Sequence, residues 1–196
     1  MNTKLLIIQS AIRLFARRGY EGASISLISE ESQLTKSSIY SHFSSKEDLY
    51  MKALDYLINF HQHYWSRKRS SLKSATTEKA LSEILCNVYQ TSQKETYLSV
   101  FWQLALIAPP SSFQEDVSQK MLRSKNILLT YLEEVFLHGL TTNQITSEHS
   151  PVYLAHSFYC LLEGATLAHL YDSVTDNEKL LEVMLNIFLN GINIKK

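Results

Sequence analysis

Apolar residues along this chain recur three and four positions apart, and alternation with a period of two never runs beyond a few residues. That spacing marks one face of an α-helix, so helices are expected throughout. From about Thr3 to Arg18, Ile8, Ala11, Ile12 and Phe15 share a face. Arg17 and Arg18 suit the negative end of that helix, and Gly19 supplies a left-handed terminator. Two shorter stripes follow, Ile25, Ile28 and Leu34, then Ile39 and Phe43, with a break at Gln33-Leu34-Thr35. Ser24 and Thr35 stand where the caps of a second and a third helix belong. Ser45 with Asp48 forms a capping box for a long fourth helix reaching about Lys68.

The same punctuation continues beyond a Ser/Thr/Lys-rich stretch, Arg69 to Thr77, that reads as a linker. A fifth helix is expected from Glu78 to Gln93 and a sixth from Glu95 to Ala108, stopped by Pro109-Pro110. Ser112 with Glu115 forms a second box, opening a seventh helix that ends near His138-Gly139. Ser150-Pro151 starts the eighth, with proline at the first helical position. Residues 151–171 are apolar almost all round, which predicts burial on more than one side. Thr175 with Glu178 caps a ninth helix, 176–194. The expectation is an all-α protein of about nine helices. With 45% hydrophobic residues it can bury a sizeable core.

Charge sharpens this picture. Residues 1–73 hold eleven Lys and Arg against six Asp and Glu, a balance of +5, and the remainder carries the compensating −5. A basic front half suits an anionic partner, and an acidic back half does not. Other chemistry is thin. Cys86 and Cys160 lie in apolar runs without CxxC spacing and read as reduced core thiols of a cytosolic protein. His61 and His63 are two apart and point to different faces of a helix. His42, His138, His149, His156 and His169 are scattered singly, so no metal is expected. No phosphate loop, nucleophile elbow or acid–base pair is present, so neither catalysis nor a cofactor is expected. No apolar run reaches membrane-spanning length, and the N-terminal apolar stretch lacks a cleavage site.

The positions left outward after the break are Lys36, Ser37, Ser38, Tyr40, Ser41 and His42. Small, polar and cationic groups of this kind can approach a phosphate backbone and reach base edges. The pattern is a helix-turn-helix, and it makes double-stranded DNA the expected partner. The front of the chain resembles the DNA-binding domain of the tetracycline-repressor (TetR) family of bacterial transcription regulators. The matching residues are Ala11-x-x-Leu14-Phe15-x-x-x-Gly19-Tyr20 and Ser24-Ile25-x-x-Ile28. They continue as Thr35-Lys36-Ser37-Ser38-Ile39-Tyr40-x-His42-Phe43-x-Ser45-Lys46-Glu47-x-Leu49. The family places small residues in the second helix and a glycine in the turn, where this chain has Ser29, Ser32 and Gln33. A glutamine taking positive φ costs roughly 1 kcal/mol, so the turn is either re-shaped or held by packing.

The resemblance implies residues 1–50 as the DNA-binding domain and 51–196 as a ligand-binding and dimerisation domain. It implies base contacts from Lys36, Ser37 and Ser41, with Lys36 able to serve phosphate instead. Phosphate contacts fall on Ser24, Ser38, Tyr40, His42 and Lys46, with Ser24 also a simple N-cap. It further implies an inducer cavity, for which Tyr64, Tyr89, Phe101, Trp102 and Tyr131 are the candidates. Their mixture of hydroxyls and apolar walls suits a small lipophilic molecule, and ordinary core packing is the alternative for each. Glu163, in an apolar helix, could face a cationic ligand, but packing or dimer contact is the favoured reading. The expected function is a cytoplasmic, nucleoid-associated repressor, a homodimer through its last two helices. A small-molecule effector would release it from a palindromic operator. The competing reading is a DNA-binding adaptor whose larger domain takes a protein partner.

Overall fold

A computed structural model describes residues 2–72, 75–171 and 177–192, and among them the chain forms nine α-helices and one 3₁₀ turn, with no strand. The helices are α1 (Thr3–Arg18), α2 (Ile25–Ser32), α3 (Lys36–Tyr40), α4 (Lys46–Leu72) and α5 (Thr77–Lys94). They continue with α6 (Thr96–Ile107), α7 (Gln114–Thr141), α8 (Pro151–Tyr171) and α9 (Asn177–Gly191). The expected caps at the front are in place: Ser24 Oγ accepts from Leu27 N–H, Thr35 Oγ1 from Ser38 N–H, and Gly19 takes φ 67°. Asn2 caps α1 through Lys4 and Leu5 N–H, a signal the sequence reading passed over.

Three boundaries differ from expectation. The capping box at α4 is displaced by one residue. Ser45 Oγ accepts from Asp48 N–H at 3.0 Å, but the Asp48 carboxylate reaches back to Ser44 N–H at 2.9 Å rather than to Ser45. Helix α4 runs on to Leu72, through half of the expected linker; residues 73 and 74 lie outside the described residues. The segment at Ser112 opens as a 3₁₀ turn, Ser111–Phe113, without a side-chain cap, and α7 starts only at Gln114. Thr175, the expected cap of α9, lies outside the described residues, as do residues 176 and 193–196.

The chain forms two compact units. The first comprises Met1–Gln62 and Glu95–Ser124, the second His63–Lys94 and Lys125–Lys196. In the first, Ala11 and Phe15 of α1, Ile28 of α2, Ile39 of α3 and Leu54 of α4 pack with Phe101 of α6 and Val117 of α7. Five rings concentrate there: Phe15 meets Tyr50 edge-on at 5.1 Å and stacks on Phe101 at 5.9 Å. Tyr20 meets Tyr50 and Phe113 edge-on at 5.4 and 5.0 Å. Each such ring pair adds about 0.5–1.5 kcal/mol beyond simple burial.

The second unit buries Leu81 and Ile84 of α5, Leu132 and Phe136 of α7, Phe158 and Leu162 of α8 and Leu189 of α9. Phe158 meets Phe188 edge-on at 5.1 Å. Helix α5 is anchored at its start, where Thr77 N–H donates to Gln144 Oε1 at 2.8 Å. Helix α8 was expected to be buried on several sides. Within one chain it is not: Leu154, Ala155 and Phe158 are buried, while Val152, Tyr153 and Cys160 are exposed. Both cysteines are free, but Cys160 is therefore no core thiol, because it sits on the uncovered side of that helix.

Candidate nucleic-acid interface

Two short helices and the turn between them form the site. Gln33 adopts the left-handed conformation, φ 56° and ψ 33°. Leu34 N–H then donates to Ser29 carbonyl at 3.0 Å and Gln33 N–H to Glu30 carbonyl at 3.2 Å. This pair of bonds is the Schellman closure normally built on glycine. The turn is thus not re-shaped. Small residues hold it instead: Ser29 Oγ donates to the Leu34 carbonyl, and buried Ser32 donates to Ile28 at 2.7 Å.

The closure orients α3 so that Ile39 faces the core and the polar residues face out. Lys36, Ser37, Ser41, His42 and Ser24 are exposed, Ser38 is half-buried, and Tyr40 is 55% exposed. An apolar ring so open on a five-residue helix is not a core ring. Ser41 Oγ donates to the Ser38 carbonyl at 2.8 Å, which leaves its oxygen free to accept. Ser37 Oγ lies 2.9 Å from Thr35 Oγ1, and either hydroxyl can be the donor. Of the expected contacts, seven are exposed or half-buried in this way.

The eighth, Lys46, is placed differently. It is half-buried, and its ammonium donates to the Tyr20 carbonyl at 2.9 Å and the Ala23 carbonyl at 3.1 Å. It also stands 3.9 Å from the centroid of the Tyr20 ring. Sequence reasoning missed two further cationic features. Lys4, exposed on α1, places its ammonium 5.8 Å from the centroid of the Phe43 ring, which adjoins His42. Arg13 and Arg17 are drawn away from any DNA role. Arg13 Nε is 3.1 Å from Glu31, and Arg17 pairs with the other oxygen of the same carboxylate. Burial alone would raise the Glu31 carboxyl; the hydrogen bonds and charges of the two arginines outweigh it and hold the group below its ordinary value.

The five ligand candidates fall in both units. In the first, Phe101 is fully buried against Phe15 and Tyr50, and Trp102 lies 4.6 Å from the His61 ring. In the second, Tyr89 is buried in the core, and Tyr131 lines a cavity of about 280 Å³. Thr77, Ala80, Glu134, Val135 and His138 line it too. Tyr64 belongs to α4, with its side chain outside the described residues. Glu163 is half-buried beside Tyr159, whose phenol is driven far above its ordinary value, first by burial and then by the Glu163 charge. Among the described residues there is no group of His, Cys, Asp and Glu able to hold a metal, and no helix long and apolar enough to cross a membrane.

Residues 7–53 match the model of the family described as "Bacterial regulatory proteins, tetR family". Over 54 residues the chain is 37% identical to the biofilm operon icaADBC HTH-type negative transcriptional regulator IcaR of Staphylococcus epidermidis. That match covers 28% of this chain and only 29% of the relative. The uncharacterized HTH-type transcriptional regulator YvkB of Bacillus subtilis is 22% identical over 200 residues, 97% of each chain. The solved structure of the regulator FadR from Bacillus subtilis in complex with stearoyl-CoA has the same fold. Its TM-score is 0.77 at 18% identity, over 96% of this chain and 99% of that one. The capped helix pair, its outward polar surface and the family match agree: residues 7–53 form a helix-turn-helix domain of the TetR type.

Proposed function

We propose that the chain is a repressor whose residues 1–50 read a palindromic operator and whose residues 51–196 bind an effector and a second copy of the chain. The observation that carries this is the exposed set on and around α3. Lys36, Ser37 and Ser41 meet base edges, Lys36 donating to guanine O6 and N7. Ser24, Ser38, Tyr40 and His42 meet phosphate, and Lys4 extends that rim. Lys46 stands apart, because its ammonium is committed inside the head. The negative regulator IcaR supports repression as the sign of the response.

A single head of this size reads few bases, so two heads one helical turn apart, about 34–36 Å, are required. The last two helices, α8 and α9, supply the contact between copies. Their exposed Val152, Tyr153, Val183 and Ile187 support this, since a single chain leaves these side chains in water. Truncation before Pro151 is expected to give a monomer with poor operator affinity; a dimer that survives the cut removes the interface.

The effector reading rests on the cavity beside Tyr131 and on the stearoyl-CoA held by the FadR structure. A partly apolar cavity between α5 and α7 favours a small lipophilic molecule over a protein partner. The effector works by shifting populations, and a 5–150-fold change in operator affinity requires only about 1–3 kcal/mol of coupling. The regulator acts in the cytoplasm and lies on the nucleoid when bound. The test is selection of binding duplexes from a random pool, followed by titration with acyl-CoA thioesters of increasing chain length. Enrichment of a palindrome and release by one length class are expected. A pool that shows no enrichment overturns sequence-specific binding, and indifference to every thioester overturns the acyl effector.

A further inference from the structure

Lys46 opens α4, where a lysine ordinarily points its ammonium into water. Here three groups of the loop between α1 and α2 face it. Its N–H groups donate to the carbonyls of Tyr20 and Ala23 at 2.9 and 3.1 Å, and the Tyr20 ring lies 3.9 Å away. An ammonium has three donors and no acceptor. Two are used by carbonyls, and the remaining direction is faced by the π-surface, which itself attracts a cation. A phosphate can claim this group only by displacing the loop.

The loop in question controls the start of the DNA-reading pair. Ala23, whose carbonyl Lys46 holds, is buried and immediately precedes Ser24. Ser24 caps α2 and is exposed beside free N–H groups of that helix, the arrangement that receives a phosphate. On the other side, the Tyr20 ring is held edge-on by Tyr50 of α4 and by Phe113 of the 3₁₀ turn. The carboxylates nearest in charge to Tyr20 are Glu47 and Glu21, and neither takes the Lys46 ammonium as a salt-bridge partner.

We propose that Lys46 is a positioning residue that pins the Tyr20–Ala23 loop, and through it Ser24, rather than a phosphate ligand. The inference rests on the DNA-binding reading but makes one claim independent of it, the rigidity of the loop. The test uses the full-length protein and a duplex selected on the wild type from a random pool. Lys46→Met keeps the aliphatic stem and removes the charge and the donors. Operator affinity is expected to fall about tenfold while the dependence on salt stays unchanged, because no phosphate contact is lost. Ser24→Ala, expected to weaken binding several-fold in the wild type, should have almost no additional effect in Lys46→Met, because the loop that aims Ser24 is already loose. Hydrogen exchange of residues 20–24 should accelerate in Lys46→Met with no DNA present.

A salt slope that falls by about one overturns the proposal and returns Lys46 to the phosphate list. Unchanged exchange in residues 20–24 also overturns it, whatever the DNA does. Should Lys46→Met not fold, Lys46→Arg decides. Its planar fork cannot bridge both carbonyls under the ring, so the clamp predicts faster exchange in residues 20–24 despite the retained charge. A phosphate role predicts wild-type exchange and affinity. If the wild type itself enriches no duplex, the DNA reading fails while the exchange result still decides the clamp.

Discussion

The two compact units of this chain are built from the same kind of helix, yet they differ in what specifies them. In the first, short helices are closed by side chains of their own sequence neighbourhood: Asn2, Ser24, Thr35, Ser45 and the left-handed Gln33. In the second, the decisive contacts join residues far apart, as when Gln144 holds the start of α5 or Phe158 meets Phe188. The family match, residues 7–53, falls within the first, and a relative aligned over the whole chain is only 22% identical. The proposed function accounts for the contrast: a surface that fits DNA of fixed geometry would restrict the first unit, and a surface for a variable effector would leave the second freer. Four substitutions test how sharp that division is.

The largest effect is expected from Phe101→Ala. The resemblance suggested Phe101 for an effector cavity, but its ring is fully buried between Phe15 and Tyr50 in the first unit. Truncation of such a ring costs about 3–5 kcal/mol. A sharp fall in melting temperature and loss of operator binding are expected together. Were stability untouched and only the effector response altered, Phe101 would belong to the second unit's chemistry and the division would blur.

Gly139→Ala makes the matching cut in the second unit. An added Cβ there would overlap Thr77 Oγ1 and approach Ile145 Cγ1 to 3.1 Å, where α7 and the start of α5 meet. A clash of this kind costs about 1–3 kcal/mol. Chemical denaturation should show the loss, and hydrogen exchange should place it in α5 and α7. Exchange that quickens equally in α1 to α3 would show that the two units melt as one.

These two positions also show what was legible. Helix existence and most boundaries followed from periodicity and caps, since both act within four residues. So did the outward chemistry of α3, because Ile39 and Phe43 fix which side is inward. Phe101 could not be assigned, because an apolar ring at helical spacing gives no sign of which partner helix covers it. The contacts of Lys46 were illegible for a related reason: a cation at a helix start suits a phosphate, and only the fold brings the Tyr20 and Ala23 carbonyls to it. Nor could the sequence show where the front half's charges pair, since only the fold brings Glu31 to Arg13 and Arg17.

A smaller effect, dependent on pH, is expected from His61→Phe. Dense protein surroundings, with the Trp102 ring 4.6 Å away, push the imidazole from 6.5 down to about 4. The unfolded chain therefore takes up a proton near pH 6.5 that the folded chain refuses until about pH 4. Stability is complete above pH 6.5 and is lost as pH falls toward 4. The ring keeps some surface open to water, which limits the loss between pH 7 and 5 to about 1–2 kcal/mol. Denaturant midpoints at the two pH values should converge in His61→Phe. Equal slopes for wild type and variant would mean that His61 protonates freely in the folded state.

The smallest effect runs in the opposite direction. Gln33 is exposed and holds φ 56°, so its side chain contributes no packing while its Cβ is strained. Glycine removes that strain, and Gln33→Gly should stabilise the first unit by about 0.5–1 kcal/mol. The bonds from Leu34 to Ser29 and from Gln33 to Glu30 are made by the backbone, so the angle between α2 and α3 should persist and operator affinity should stay at the wild-type level. Calorimetry and binding on one selected duplex separate the two quantities. A gain in stability with unchanged affinity confirms that a locally specified unit can tolerate a poor residue at its turn. A gain in stability with weakened affinity would instead make the Gln33 amide part of the DNA surface, a contact that turn geometry alone could never have revealed.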